Sequence, residues 1–130
     1  MLNTENIQSL IDSGEGYNVE FKVRVPSKVR ELTEEICAFA NADGGYLLIG
    51  VDDNGNPVGM PNIDSMQLKI ADRIKNNILP STLGLFDIVT EEIDKVSVVK
   101  ILISSGLEKP YYIKKQVMSP NGCFTRVGTS

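Results

Sequence analysis

A glycine turn followed by an apolar strand, within residues 39–55, constrains the fold more than any other part of the sequence. Gly44-Gly45 follows an apolar helical pattern, and glycine adopts the positive φ angles of helix ends and turns without steric cost. Residues 46–51 form a short apolar run between turn residues, which is typical of a strand buried on both faces. Asn54-Gly55 then favours a type I′ hairpin turn. Asp52-Asp53 is therefore predicted where a buried strand emerges, a rigid position for a functional side chain.

Hydrophobic spacing in the rest of the chain predicts an α+β fold. Helices are predicted after three capping residues, Thr4, Ser27 and Asp64. Strands are predicted over residues 19–23, 85–91, 95–103, 110–114 and 123–127, with Val19, Phe21 and Val23 facing inward. Because helices and strands do not alternate strictly, we expect a mixed, largely antiparallel sheet packed with two long helices and a short N-terminal helix. Residues 1–130 are predicted to form one domain, the N-terminal module of a longer protein.

Composition excludes several classes of function. The chain has no histidine, which removes Ser-His-Asp and Cys-His catalysis and histidine zinc sites. Cys37 falls within an apolar helix pattern, so Cys37 and Cys123 are predicted to be free thiols of a reducing compartment. Because the two lie far apart in the sequence, a zinc site built from cysteines is not expected either. No Gly-Lys-Ser/Thr loop for a nucleotide is present. We see no signal peptide and no apolar run near the roughly 20 residues of a membrane span, so we expect a cytoplasmic protein without a membrane partner.

Carboxylates near the predicted strand ends form the first candidate site. Glu20 and Lys22 share one face of a predicted strand, because side chains alternate, and Glu15 lies just before it. If this strand neighbours the buried one, Asp52 or Asp53 meets them at one end. Such oxygen ligands suit Mg²⁺ or Mn²⁺, which activate water, and a lysine stabilises developing negative charge. The predicted catalytic residues are Glu15, Glu20, Lys22, Asp52 and Asp53, with Glu15, Glu20 and Asp52 as metal ligands; the alternative is a solvated strand face with a weak Glu-Lys pair.

Basic residues form the second candidate site, in two groups. The first surrounds a predicted strand–helix junction, where backbone N–H groups also favour phosphate. The second is interleaved with tyrosines, whose rings stack on bases in other proteins. The predicted nucleic-acid contacts are Lys22, Arg24, Lys28 and Arg30 in the first group, and Tyr111, Tyr112, Lys114, Lys115 and Arg126 in the second. The alternative is ordinary surface charge, and the net charge of −4 argues against a strongly basic binder.

Several motifs in the chain resemble the Schlafen AlbA-type domain. They are Val19-Glu20-Phe21-Lys22, the run from Ile36 to Gly55, Val58-Gly59, Lys109-Pro110-Tyr111-Tyr112 and Phe124-Thr125-Arg126-Val127-Gly128. This resemblance covers nearly the whole chain. It implies an α+β fold with helices packed on a mixed sheet. In bacteria it implies the N-terminal part of a transcriptional regulator, followed by a winged-helix region.

The same resemblance implies a catalytic alternative. Animal Schlafens cleave transfer and ribosomal RNA with a carboxylate triad whose second acid precedes Phe-Lys. Glu15 and Glu20 match the spacing of the first two acids, and the third corresponds to Asp52 or Asp53. The animal enzymes duplicate the domain and use a zinc site, whereas this chain has one copy and no histidine.

These observations predict a nucleic-acid-binding module, with DNA as the expected ligand, of a bacterial transcriptional regulator. The alternatives are a metal-dependent nuclease that uses the Glu-Glu-Asp triad, and a structural or oligomerisation domain. The expected partners are nucleic acid and a C-terminal winged-helix region, with a homo-oligomer left open. Mg²⁺ or Mn²⁺ is the one cofactor class that the residues suggest, and neither a nucleotide nor a structural zinc is expected.

Overall fold

The computed structural model describes residues 6–114, which form a four-stranded mixed sheet, a separate two-stranded ladder and three helices. The helices are α1 (Ile7–Ser13), α2 (Val29–Asn41) and α3 (Ile63–Asn77). The strands are β1 (Val19–Lys22), β2 (Gly45–Ile49), β3 (Ile78–Leu79), β4 (Phe86–Ile93), β5 (Val96–Ile103) and β6 (Tyr112–Ile113). The main sheet has the order β1-β2-β5-β4, with β1 parallel to β2 and the other neighbours antiparallel, while β3 pairs with β6. The α+β prediction is confirmed.

Apolar layers cover both faces of the main sheet. On one face, Ile36 of α2 and Ile74 of α3 pack in the same core cluster as residues of β2 and β5. On the other face, Ile7 of α1 packs against a second cluster. Because β2 is covered on both sides, all five of its residues are buried, as its apolar run predicts. Cys37 is a free thiol in the α2 layer, and burial raises its pKa to about 11.

The tight turns differ from the sequence prediction. Asp94-Lys95 joins β4 to β5, and both residues have positive φ angles of 50° and 69°, as a type I′ turn requires. Between residues 52 and 55, only Gly55 has a positive φ, and its N–H donates to the Asp52 carbonyl at 3.0 Å. The type I′ prediction for Asn54-Gly55 is therefore wrong, because the turn places only its glycine in the left-handed region.

The helix starts also differ from the predicted caps. Asn6 caps α1, since its side-chain oxygen accepts a hydrogen bond from the Ser9 N–H at 2.8 Å, and Thr4 lies outside the described residues. The predicted N-caps Ser27 and Asp64 are wrong. The first residue of α2 is Val29, so Lys28 occupies the N-cap position, and the first residue of α3 is Ile63, so Asn62 occupies it there. The residues that precede these helices make no side-chain cap hydrogen bond. Packing of the apolar stripes therefore determines these boundaries more than capping does.

The last described segment is anchored by the Asn41 side chain, which pairs with the backbone of Tyr111 through two hydrogen bonds. The Asn41 side-chain NH₂ donates to the Tyr111 carbonyl at 2.9 Å, and the Tyr111 N–H donates back to the Asn41 side-chain oxygen at 2.6 Å. The predicted strand at 110–114 is correct only for Tyr112–Ile113, which pairs with β3. The predicted strand at 123–127 lies outside the described residues. None of the helices within residues 6–114 has the length and apolar character needed to span a membrane.

Candidate functional site

Glu15 reaches the first strand because the chain folds back tightly before it. Gly16 and Val19 form an isolated antiparallel bridge, so the segment before the bridge runs back beside β1. The Glu15 carboxylate accepts a hydrogen bond from the Phe21 N–H at 2.9 Å. This turn brings Glu15 beside the strand that carries Glu20.

Glu20 and Lys22 lie on the face of the sheet that α2 covers. Their register partners in β2 belong to the α2 and α3 core layer, and the parallel pairing of β1 with β2 fulfils the neighbour condition set by the sequence. Lys22 Nζ lies 3.4 Å from a carboxylate oxygen of Glu35 in α2. Glu35 was not among the residues that the sequence pattern predicted for this site. Its position next to core residue Ile36 was the available signal, because it flanks the stripe that faces the sheet.

Electrostatics couples these side chains into one unit. Burial raises the pKa of Glu20, and the nearby carboxylates of Glu35, Glu15 and Asp53 raise this pKa further, while Lys22 lowers it. We refer to Glu15, Glu20, Glu35 and Asp53 as the acidic cluster. The other three carboxylates oppose ionisation of Glu20, which lies in the edge strand β1 of the sheet.

Glu20→Gln should raise the melting temperature at neutral pH. The pKa of Glu20 is higher in the folded state than in the unfolded state, so the wild-type protein loses stability as the pH rises through that range. Glutamine keeps the shape and removes the charge. The gain should vanish below the ordinary pKa of 4.5, where Glu20 is protonated in both states. Thermal melts across this pH range test it, with the exposed Glu92→Gln as control; equal melting of Glu20→Gln and wild type at neutral pH would contradict it.

Asp52 and Asp53, which the sequence could not separate, have different roles. The Asp52 carboxylate accepts hydrogen bonds from the backbone N–H groups of Asn54 and Asn56, both at 2.9 Å. The Asn56 backbone bond is the largest of the causes that lower the pKa of Asp52. Asp52 therefore holds the hairpin loop together, and Asp53 is the aspartate that affects Glu20.

The acidic cluster does not form a set of metal ligands in this arrangement. Within residues 6–114, no group of three or more Asp, Glu, Cys or His side chains is placed to hold a metal ion. One oxygen of Glu15 is occupied by the Phe21 N–H, and Asp52 is committed to its own loop. The donors therefore do not fit the predicted Mg²⁺ or Mn²⁺ site as they stand, and we derive no reaction step through a metal.

A basic cleft lies on the other side of the β1–α2 connection. Its volume is about 460 Å³, and three segments line it: Val23, Arg24, Val25, Pro26 and Ser27; Val58, Gly59, Met60 and Pro61; and Met66, Lys69 and Arg73 of α3. Arg73 Nη1 donates to the Pro26 carbonyl at 2.7 Å, which ties α3 to the β1–α2 connection. Val23, predicted to face inward, is 47% exposed at this cleft, because β1 ends one residue before it.

The cleft contains one of the predicted phosphate contacts and two cations that the sequence analysis missed. Arg24 lines the cleft, whereas Lys22 lines a neighbouring depression and is paired with Glu35. Lys69 and Arg73 are four residues apart on α3 and so share a helix face. That spacing was the signal available in the sequence.

The remaining basic predictions fall elsewhere. Lys28 is exposed at the start of α2, and Arg30 is paired with Glu34 at 2.7 Å on the outer face of that helix. Lys114 follows β6, where its N–H donates to the Asn77 carbonyl at the end of α3. Lys115 and Arg126 lie outside the described residues.

The tyrosines of the second basic group differ in exposure. Tyr111 is 3% exposed, and its ring lies against Gly106, where even a Cβ would be too close. The stacking prediction for Tyr111 is therefore wrong, because no face of the ring is open to a base. Tyr112 is partly exposed in β6, so its predicted contact with nucleic acid stays a prediction.

Comparison with known proteins places the chain in a family. Residues 15–130 match the family model described as Schlafen, AlbA_2. The chain belongs to this family. The match includes every residue of the acidic cluster and every residue that lines the basic cleft. Among curated proteins, none matches this AlbA_2 domain.

Two solved structures are similar to the AlbA_2 domain. One is the solution structure of the N-terminal domain of a protein from Nitrosomonas europaea that is related to the ATP-dependent DNA helicase RecG, with 25% identity and a TM-score of 0.68. The match covers 98% of this chain and 92% of that one. The other is the DIP2311 protein from Corynebacterium diphtheriae, with 19% identity and a TM-score of 0.54 over 81% of this chain and 22% of that chain. The second similarity shows the fold alone.

Proposed function

We propose that this AlbA_2 domain binds nucleic acid, with the phosphate backbone lying across the mouth of the basic cleft. The observation that supports this is that Arg24 of the β1–α2 connection and Lys69 and Arg73 of α3 converge on the basic cleft. Basic side chains that converge on a concave surface are the usual means of holding phosphates in register. The relation of the Nitrosomonas protein to a DNA helicase makes DNA the first ligand to test.

The charge around the cleft supports this proposal, although the chain as a whole is acidic. The net charge is −4, so the chain as a whole repels a polyanion at long range, and attraction must come from local cations. The ion pairs among residues 6–114 are Lys22–Glu35, Arg30–Glu34 and Lys100–Glu91, and none of them involves a cation of the cleft. The cleft cations are therefore available to phosphates, and binding should be of modest affinity and sensitive to salt.

Nucleic-acid binding can be measured by fluorescence anisotropy with a labelled single-stranded DNA across a salt series. The affinity should fall linearly with salt on logarithmic axes. In the Arg24→Gln/Lys69→Gln variant, the magnitude of the salt slope should decrease by about 1.4, because each phosphate contact with a single strand contributes about 0.7. The control is Lys75→Gln/Lys95→Gln, which removes two exposed charges outside the cleft. Binding that is independent of salt, or equal losses in both double variants, would contradict the proposal.

The nuclease alternative is supported by one observation, the coupling of Glu20 to three other carboxylates. The donor geometry does not favour it, because these side chains do not form a ligand set within the described residues. We therefore expect Mn²⁺ to leave the melting temperature unchanged and no cleavage of structured RNA or single-stranded DNA. A metal-dependent rise in melting temperature that disappears in Glu20→Gln, together with cleavage, would reverse this ranking, since a ligand of the folded state stabilises it by mass action.

We also propose that the domain is a module of a transcriptional regulator that contains a winged-helix region. The AlbA_2 domain resembles the N-terminal domain of the Nitrosomonas protein, which supports a place at the start of a longer protein. A purely structural role predicts self-association without nucleic-acid binding. Sedimentation of the domain with and without DNA distinguishes these roles.

A further inference from the structure

We propose that the basic cleft receives one unstacked base of a single strand, with the adjacent phosphates held by its cations. This inference rests on the proposed nucleic-acid function and adds the strandedness of the ligand. The shared chemistry is a nucleoside phosphate, as part of a strand or free in solution.

The walls of the cleft are apolar and incompletely covered. Val23 and Val58 are each 47% exposed at its edges, and Met60 and Met66 line it from the hairpin side and from α3. Apolar side chains that converge in a concave site are typical of ligand pockets, with few polar groups to orient the ligand. A flat and weakly polar object covers such walls well, and the face of a base has this character.

The cleft has the size of a small-ligand pocket. Its volume of about 460 Å³ lies in the lower part of the range of ligand pockets, about 300–1,000 Å³. In a duplex the faces of each base are covered by its neighbours, so an apolar cleft reaches a base face only after the base leaves the stack. That step costs a few kcal/mol in a duplex and least in a single strand. The cleft should therefore prefer single strands.

The charges around the cleft complement the phosphates that flank such a base. The hydrogen bond to the Pro26 carbonyl fixes the Arg73 guanidinium at the cleft, and a guanidinium has five N–H donors, so others remain for a phosphate. Lys69 lies one helical turn away on the same face. Beside the cleft, Glu31 lines a depression that it shares with Arg24 and Lys22, and Glu35 lines the next depression along, so these carboxylates would repel a backbone on that side. The strand is thus directed toward α3.

The test separates the apolar walls from the charges. Val23→Ser/Val58→Ser changes two exposed wall residues and keeps every charge. It should weaken binding of single-stranded DNA about tenfold, because serine gives up the apolar area that a base would cover, while the salt slope and duplex affinity stay unchanged. The control is Leu68→Ser, a 69% exposed apolar residue of α3 that does not line the cleft. Val23→Thr/Val58→Thr, which keeps the side-chain shape, serves as a second variant, and melting curves check the fold of each.

Two further measurements complete the test. A fluorescent adenine analogue in the strand should change its emission on binding to wild type and much less with the serine variant. Free adenosine monophosphate should compete far more weakly than the strand, because it offers one phosphate.

Equal affinity for single strand and duplex would overturn the inference, and so would wild-type affinity in both wall variants. The proposed function would still stand in these cases if binding remained dependent on salt and on Arg24 and Lys69. Adenosine monophosphate that competes as well as the strand would overturn it in favour of a mononucleotide site. Absence of salt-dependent binding to any nucleic acid would overturn the proposed function itself.

Discussion

Replacing Phe39 with alanine should lower the free energy of unfolding by about 3–5 kcal/mol, the usual cost of removing a fully packed phenyl ring. Phe39 is 7% exposed in the core layer between α2 and the sheet. Its ring lies directly over Gly45, where a Cβ would come within 2.5 Å of the ring carbons. The ring therefore fills the space that glycine leaves at the start of β2, and alanine at position 39 would leave a cavity over this interior strand of the sheet.

Urea unfolding of the variant measures this loss. Val29→Ala is the matched control on the same helix, because Val29 is 37% exposed, and its effect should stay within about 0.5 kcal/mol. A midpoint for Phe39→Ala equal to that of wild type would mean that the ring does not carry the contact between α2 and β2.

Patterns within single segments predicted the fold well. The apolar run around Leu47 predicted a strand buried on both faces. The helical spacing of Val29, Leu32, Ile36, Phe39 and Ala40 predicted the buried face of α2, and it is wrong only at Val29, which is 37% exposed in the first turn of the helix. These patterns succeed because burial of a contiguous stripe is a local property of the sequence. The resemblance to the family added the overall architecture, which the family match and the similar structures confirm.

Properties that depend on distant partners were not predictable in the same way. Glu35 joins the acidic cluster only because the connection between β1 and β2 places α2 over the edge strand, and no short window contains that information. The residues next to Tyr111 in the sequence indicated an exposed ring. In the structure Tyr111 is buried, because it contacts Gly106 and Asn41, which belong to two separate segments. The choice between Asp52 and Asp53 depended on which carboxylate the loop amides engage.

The type of turn between two strands was also not predictable from the turn residues alone. Asn54-Gly55 has the composition of a type I′ turn, yet the turn that adopts this geometry is Asp94-Lys95. β4 and β5 are long, paired strands joined by two residues, and their right-handed twist requires this turn. Strand pairing across the sheet therefore outweighed the local preference of the turn residues.

Removing the Glu91 carboxylate should destabilise the protein by about 3 kcal/mol, because it breaks the ion pair of a buried ammonium from one side. Lys100 lies in the central strand β5 with a side chain that is 4% exposed, and its Nζ is 2.9 Å from a Glu91 oxygen. The other Glu91 oxygen accepts the Ile7 N–H at 3.3 Å, at the N-terminus of α1, where a negative charge is also favoured by the helix dipole. One carboxylate thus neutralises a core lysine and fixes the helix that covers that face.

The two partners of this pair should not be equivalent. Glu91→Ala leaves a buried charge, whereas Lys100→Met removes the charge, keeps an unbranched side chain of similar length, and leaves a carboxylate that is 31% exposed to water. Lys100→Met should therefore cost clearly less than Glu91→Ala, since replacing a buried charge by an apolar group of similar volume is often close to neutral. Glu92→Ala, one residue further along β4 and exposed, should stay within about 0.5 kcal/mol. If urea unfolding shows Lys100→Met to be as costly as Glu91→Ala, the other contacts of Lys100 dominate over its charge, and the stabilising role assigned to the carboxylate is wrong.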